Sequence, residues 1–503
     1  MSVAAAVTAF PHDATPRNWE KIGNFIVLLA YSAVVLFTVR YHEKWADEAQ
    51  AWLIARDLPL KTIWFYELRY EGSPGLWHTI LWVAQHVFHA PYAALGYIGV
   101  AFAIAGVAVL VFKAPFPWYV RWPLIFTYFF VYQYAVIARP YTILPLLCFL
   151  VAILFKDVEH PERMTVVLIL LANLSLHGTV LAAAFGLLYL LEAVKSRAAF
   201  DDRLRNRYFL CVAAMVITFV FIGIILRPTP DNEEFVVKHQ LEQLPQAEKD
   251  RLHLPTPITK LTAITSGGFL DSLTASIAFL LLTAAWFFSR HRLLVFVLPV
   301  GLMIALYSVV HGYAHHQGTP LVAMITALWI AWPSGEEASA FTVNEKWALR
   351  GMVGLLWCLC VANIWDAAVV IKREYLFPYS GSADVVKYLK SVGADRSVMF
   401  GYVYGVTAVQ AYFDHNMFAN IPTAYFHHGL PLPGTRMDPS ELLRVQPEYV
   451  VVFTVDPQLF LPQSVQEFTS RGYEIAHFSD GYYLYKQGVY QRDCYFIFRR
   501  VQP

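Results

Sequence analysis

Apolar runs long enough to enter a bilayer recur along residues 22–370 of this 503-residue chain, and they leave few folds open to it. A spanning helix needs roughly 20 mostly apolar residues to cover about 30 Å of hydrocarbon. Runs of this kind, several of them short, occupy residues 22–39, 92–112, 122–138, 141–155, 164–177 and 179–193. Others follow at 208–226, 272–289, 293–310, 319–332 and 347–370. Trp, Tyr, Lys and Arg crowd their ends, as interfacial anchoring requires. Only 15% of residues are charged and 57% are hydrophobic, whereas a soluble domain carries about a quarter charged residues. Aromatic residues at 16% rule out a disordered chain. With 38 basic against 37 acidic residues there is no basic footprint for a nucleic acid, and none is expected as a partner. The chain reads as a polytopic α-helical membrane protein with the lipid bilayer as its solvent.

Basic loops set the orientation. Lys195, Arg197, Arg203, Arg205 and Arg207 form the richest short basic loop, the kind retained in the cytoplasm. Alternate counting then puts residues 156–163, 290–292 and 334–346 inside as well. It puts Arg139, His177, the loops 227–271 and 311–317, and everything after Ile371 outside. The first run ends without a small-residue cleavage site and reads as a signal anchor, with Arg17 and Lys21 inside. Residues 74–89 and 92–112 both separate the first outer loop from the inner turn 113–121, and only an odd number of crossings fits. Residues 74–89 are short and carry His78, Gln85, His86 and His89, so they are assigned to a surface or re-entrant helix. That leaves about eleven spans, N-terminus cytoplasmic and C-terminus extracytoplasmic.

Residues 1–375 thus form a membrane domain with a first outer loop at 40–90, and residues 376–503 a soluble extracytoplasmic domain. In that tail 383–392 reads as an amphipathic helix, 397–403 and 449–455 as strands, and 463–472 as a second helix. Residues 473–478 and 482–486 flank Asp480-Gly481, a hairpin turn signal. Mixed helices and strands predict a small α/β domain. The five cysteines suggest neither a disulfide framework nor a thiolate metal site.

Charge buried mid-membrane costs at least a few kcal/mol and marks pumps and transporters. The spans here are nearly free of it; Asn173 is the main polar exception, and an interhelical hydrogen bond is its simplest role. Ionisable residues gather at the outer surface instead, which favours chemistry at the membrane–water boundary. The densest group is the first outer loop, where Asp47 and Glu48 follow Trp45. Adjacent carboxylates there can deprotonate an acceptor hydroxyl or hold a divalent cation such as Mg or Mn. They can equally open a helix, with Asp47 as its N-cap and Glu48 favouring its dipole. Further on, Gly72-Ser73-Pro74-Gly75 forces a sharp entry into a helix that carries His78, with Arg69 just before it suited to a phosphate.

After an N-terminal span, the first outer loop reads Asp47-Glu48-Ala-Gln-Ala-Trp and then Glu71-Gly-Ser-Pro-Gly-Leu-Trp77. This order resembles the GT-C glycosyltransferases. The similarity is closest to the bacterial branch related to dolichyl-phosphate-mannose protein mannosyltransferases, which includes the lipid A aminoarabinose transferase. Residues 132–141, with Ala138-Arg139-Pro140-Tyr141, resemble the Ser-Arg-containing segment of that family's second outer loop. The pattern covers the first third of the chain. Where the family often has an Asp shortly after the Arg, Tyr141-Thr142 stand here, which removes one carboxylate from any two-carboxylate metal site.

The resemblance implies transfer of one sugar, with inversion, from a polyprenyl-phosphate donor to an extracytoplasmic lipid, glycan or protein, in the plasma (inner) membrane. It implies Asp47 as the catalytic base with Glu48 beside it. Displacement leaves a polyprenyl phosphate whose charge must be held, and Arg69, Arg139 and Arg227 match phosphate with a planar fork of donors. Each can also anchor a headgroup. His315 and His316 suit contact with donor phosphate or sugar; neighbours on a helix point about 100° apart, so a metal site there needs a loop. The expected substrate contacts are therefore Arg69, Glu71, His78, Arg139, Tyr141, His315 and His316. A flippase or transporter of lipid-linked substrate, or a non-catalytic subunit of envelope polysaccharide assembly, shares this layout. A transporter would show a polar midplane path and two related halves, and neither is visible in the sequence.

Overall fold

The computed structural model describes residues 18–195, 200–227, 256–309, 314–426, 439–486 and 488–501. The first apolar run forms the helix Asn18–Tyr41, whose outward side chains Ile22, Phe25, Ile26, Leu29 and Phe37 stay exposed. The helix Asp202–Ile225 exposes Phe209, Leu210, Val216, Ile217, Val220 and Ile224 in the same way. Apolar rows that no protein covers are what a bundle presents to lipid. Among the described residues five helices are long and apolar enough to cross a membrane: Asn18–Tyr41, Ala94–Lys113, Leu176–Lys195, Asp202–Ile225 and Val343–Leu376. Pro257–Gly268 and Leu273–Ser289, bent by 73° at their break, make a sixth if counted as one span.

The other runs yield shorter helices, including Leu144–Leu154, Pro161–Ala172, Leu293–Val309 and Thr319–Ala331. The reason is that apolar composition records burial against protein as well as against lipid. All 13 residues of Thr319–Ala331 are buried within the bundle. Residues 122–138 are not one helix: Trp118–Leu124, with Pro123 inside it, gives way to a π-helical turn at Phe129–Gln133 and then to irregular chain. This irregular chain is buried throughout, the one setting in which non-helical backbone is tolerated at membrane depth. Asn173 uses its side-chain amide on Ile169 O of its own helix, 2.9 Å away, rather than on a neighbouring helix.

Ion pairs join segments that basic-loop counting places inside. Arg121 meets Glu20, Arg207 meets Glu162 at 2.6 Å, Arg290 meets Glu337 at 3.1 Å and Arg292 meets Glu192 at 3.5 Å. Phe116 packs on Trp332, and Trp332 on Trp286, closing these contacts into one belt. Within residues 40–90 the helix Ala46–Asp57 packs on the helix Leu76–His86, which occupies most of 74–89 and buries Trp77, His78 and Leu81. Gly72, at φ 60°, ends the preceding turn of helix.

The tail is a four-stranded sheet in the order β1-β2-β4-β3, from β1 Met399–Tyr402, β2 Tyr449–Thr454, β3 Tyr473–Tyr485 and β4 Gly488–Arg500. β1 and β2 are parallel and the other pairs antiparallel. Both faces are covered, with Phe400, Val450, Val452, Phe496 and Phe498 on one and Met399, Val451, Tyr495 and Ile497 on the other. The helices Ser382–Ser391 and Pro457–Thr469 match the two expected ones, the second beginning earlier than residue 463. Asp480-Gly481 is not a hairpin turn: β3 runs straight through it and turns only after Tyr485. Gly481 sits there because the chain passes too close for a side chain, a Cβ falling 2.4 Å from Gly381 N. Asp480 pairs across the ladder with Arg492. The β3–β4 turn is pushed into the membrane domain, where Lys486 Nζ lies 2.5 Å from Asp271 and the Tyr485 hydroxyl donates to Gln317 Oε1.

Candidate active site

The first-loop helix decides which carboxylate is available. Trp45, not Asp47, holds the N-cap position; Glu48 reaches back to accept the Trp45 N–H at 3.3 Å. Residues three and four apart share a helix face, whereas the next residue points about 100° away. Asp47, Gln50 and Ala51 accordingly face a cavity, and Glu48 turns into the protein. There Glu48 Oε1 accepts the Ala138 N–H at 2.7 Å and Oε2 accepts His42 Nε2 at 2.9 Å. The other His42 nitrogen meets Glu374 Oε1 at 3.0 Å, and the Tyr132 hydroxyl donates to the second Glu374 oxygen. Burial disfavours a charged His42, yet the carboxylates of Glu48 and Glu374 outweigh it and hold the imidazole up at about 10. Burial of Glu48 is likewise overcome by His42 and the Ala138 amide, which keep its carboxyl below the usual carboxylate range.

This clamp places the second motif. Glu48 fixes the Ala138 amide, and the next side chain, Arg139, reaches Asp47, with Nη1 to Oδ2 at 2.5 Å. Consecutive residues of one loop thus meet consecutive residues of another. The Arg139 guanidinium lies 5.6 Å from the Trp45 ring centre, and its Nη1 donates to His315 Nε2 at 3.1 Å. Burial and the neighbouring Arg139 charge hold His315 well below the usual imidazole range, so it stands as the neutral acceptor this contact needs. Tyr141 Oη and His177 Nδ1 are 3.1 Å apart, and the His177, His316 and His315 rings pack in succession at 4.7 and 4.1 Å. Tyr134 and Tyr307 donate to the carbonyls of His315 and His316 at 3.1 and 3.0 Å, fixing the two-histidine turn.

A cavity of about 700 Å³ opens among these groups. Asp47, Gln50, Arg69, Glu71 and His78 line it from residues 40–90, and Arg139, Tyr141, His177, His315 and His316 from later segments. The tail closes it with Tyr404, Tyr483 and Tyr485. Gln50 Nε2 donates to Glu71 Oε1 at 2.9 Å, and His78 Nε2 lies 4.0 Å from Glu71 Oε2. Burial lowers the His78 imidazole below its ordinary value against the opposing pull of Glu71. Arg69 donates to Phe65 O at 2.7 Å beside the Tyr66 ring. Of the residues singled out in the sequence, Asp47, Arg69, Glu71, His78, Arg139, Tyr141, His315 and His316 converge on this space. Glu48 does not line it, and Arg227 is exposed and does not line it either. Residues 311–313 of the loop that carries His315 and His316 lie outside the described residues, as do the adjacent histidines His427-His428 of the Pro-rich stretch in the tail, whose simplest role in the sequence is a surface one.

Several lining or supporting residues were not singled out: Gln50, His42, Glu374, Tyr404 and Tyr483. Gln50 was available from its three-residue spacing to Asp47. Tyr483 and Tyr485 share one face of β3 by its two-residue period, and Tyr483 packs 4.8 Å from Trp45. Among the described residues no group of three or more His, Cys, Asp or Glu converges as a metal ligand set, and Asp47 is already paired with Arg139. The residues present therefore do not fit a divalent cation at this position. No protein-family model and no curated protein matches this chain.

Proposed function

We propose that this protein is an inverting membrane glycosyltransferase of the GT-C type, taking a sugar from a polyprenyl-phosphate donor. The observation that carries the reading is the meeting of Asp47 and Arg139, 92 residues apart, at the wall of one cavity lined by charged and aromatic side chains. An acceptor hydroxyl gives its proton to Asp47 as its oxygen forms the new bond to the anomeric carbon. The bond from that carbon to the phosphate oxygen breaks, and polyprenyl phosphate leaves with the electron pair. Arg139 has enough donors to keep Asp47 and reach a phosphate oxygen at once, with the neutral His315 beside it. Attack opposite the leaving group inverts the anomeric centre.

The protein sits in the plasma (inner) membrane in this reading. The N-terminus is cytoplasmic, the tail domain extracytoplasmic, and the shorter apolar helices bring the total to about eleven crossings. The belt of ion pairs among loops counted as inner, and the cavity lined by loops counted as outer together with the ends of spans that lead to them, both support that orientation. The test is transfer of labelled sugar from polyprenyl phosphate by purified protein in nanodiscs. Asp47→Asn should lower turnover by about 10²–10⁴, the range of a general base. Wild-type turnover in Asp47→Asn overturns the assignment.

A further inference from the structure

We propose that Tyr404, from the tail domain, is a positioning residue for Asp47, so that the soluble domain completes the catalytic site rather than merely adjoining it. The proposal rests on the glycosyl-transfer reading above. The Tyr404 hydroxyl donates to Asp47 Oδ1 at 3.1 Å, while Arg139 occupies Oδ2. Each carboxylate oxygen thus has its own donor, one from the helical bundle and one from the tail. The chain spends conformational energy to bring Tyr404 there. Its predecessor Val403, the first residue after β1, has φ 72°, a region that a β-branched residue almost never adopts.

Such strain persists only where the surroundings over-determine it, and here three successive carbonyls are held. Val403 O accepts the Val406 N–H at 3.1 Å, Tyr404 O accepts the Thr407 hydroxyl at 2.6 Å, and Gly405 O accepts the Tyr495 hydroxyl at 2.9 Å. A Cβ at Gly405 would fall 2.1 Å from the Phe453 ring, which excludes a side chain as the backbone passes it. The left-handed turn at Val403 takes the chain out of the sheet, and the next residue faces the cavity. Tyr404 packs against Phe426, whose backbone is itself held at both polar atoms by Gln50, on the same helix face as Asp47. The tail and the first-loop helix are in this way registered to each other at the reacting group.

The experiment compares full-length wild type, Tyr404→Phe, Asp47→Asn and the double variant in nanodiscs. The probe is a pool of polyprenyl-phosphate sugars extracted from cells that make the protein. Tyr404→Phe should lower kcat roughly 10- to 100-fold, as loss of a hydrogen bond to a charged group implies, with KM for the donor pool nearly unchanged and the thermal midpoint lowered only by the small amount one hydrogen bond contributes. A merely structural role would instead lower the midpoint and leave kcat of the folded fraction alone; that result, or an unchanged kcat, overturns the proposal. Midpoints give a second reading that needs no substrate. Losses that combine non-additively in Asp47→Asn/Tyr404→Phe support the contact, and strictly additive ones contradict it. Absence of any transfer by wild type would sink the glycosyl-transfer reading, while non-additive midpoints would still stand for the Tyr404–Asp47 contact.

Discussion

His42 shows how much a single side chain can settle in this protein. One imidazole stands between two buried carboxylates, each of which holds something else: Glu48 the amide beside Arg139, Glu374 the Tyr132 hydroxyl. Removing one partner of a buried ionic pair typically costs about 3–5 kcal/mol, because the other charge is left uncompensated. His42→Gln should therefore lower the thermal midpoint clearly. Its pH dependence has a definite sign. The His42 imidazole is held up at about 10 from an ordinary value of 6.5, so its contribution is fully present below about 6.5 and is lost as pH rises through about 10. The wild-type midpoint should fall over that window, and His42→Gln should flatten the fall; an identical slope in the variant would contradict the assignment. Asp47 and Arg139 could be named from the sequence because the motifs flanking them are local. Glu374 and Tyr404 could not, since their partners His42 and Asp47 lie 332 and 357 residues away, and His42, six residues from Glu48, gains its second carboxylate only through that distant contact.

Helices and strands were legible where one face of the pattern meets one kind of surroundings. Asn18–Tyr41 and Ala94–Lys113 match their apolar runs because their hydrophobicity is long and uninterrupted. Thr319–Ala331 shows the limit: an apolar stretch buried wholly in protein carries the same composition as one facing lipid. Residues 122–138 show another, since Pro123 and a π-helical turn break a continuous apolar run precisely where it must deliver Arg139. In β3, Asp480-Gly481 has the composition of a turn but serves a close approach of two backbones, the other common reason for glycine in a strand. Gly481→Ala should then destabilise the tail by about 1–3 kcal/mol, the usual cost of forcing atoms into a packed site. Denaturant unfolding of the full chain, followed by a probe in the tail, checks this. An unchanged midpoint would mean that Gly381 and Ser380 can yield at no cost.

Taken whole, the molecule places its exposed apolar rows on a helical bundle, a belt of ion pairs at one end of it, and a cavity lined by charged and aromatic side chains under the tail domain. That division makes the orientation testable without any substrate. In a background lacking the five native cysteines, Ser391→Cys on the exposed tail surface should react with a membrane-impermeant maleimide on intact cells. Glu336→Cys, exposed on the opposite belt, should react only after permeabilisation. The reverse pattern would place the cavity in the cytoplasm and remove the extracytoplasmic acceptor from the account.

The central claim is that Asp47 takes the acceptor proton during sugar transfer from polyprenyl phosphate. Its most direct test is the rate of sugar transfer by purified Asp47→Asn beside wild type in the same nanodiscs. The account predicts a folded variant that turns over about 10²–10⁴ times more slowly. A folded variant as fast as wild type would contradict it.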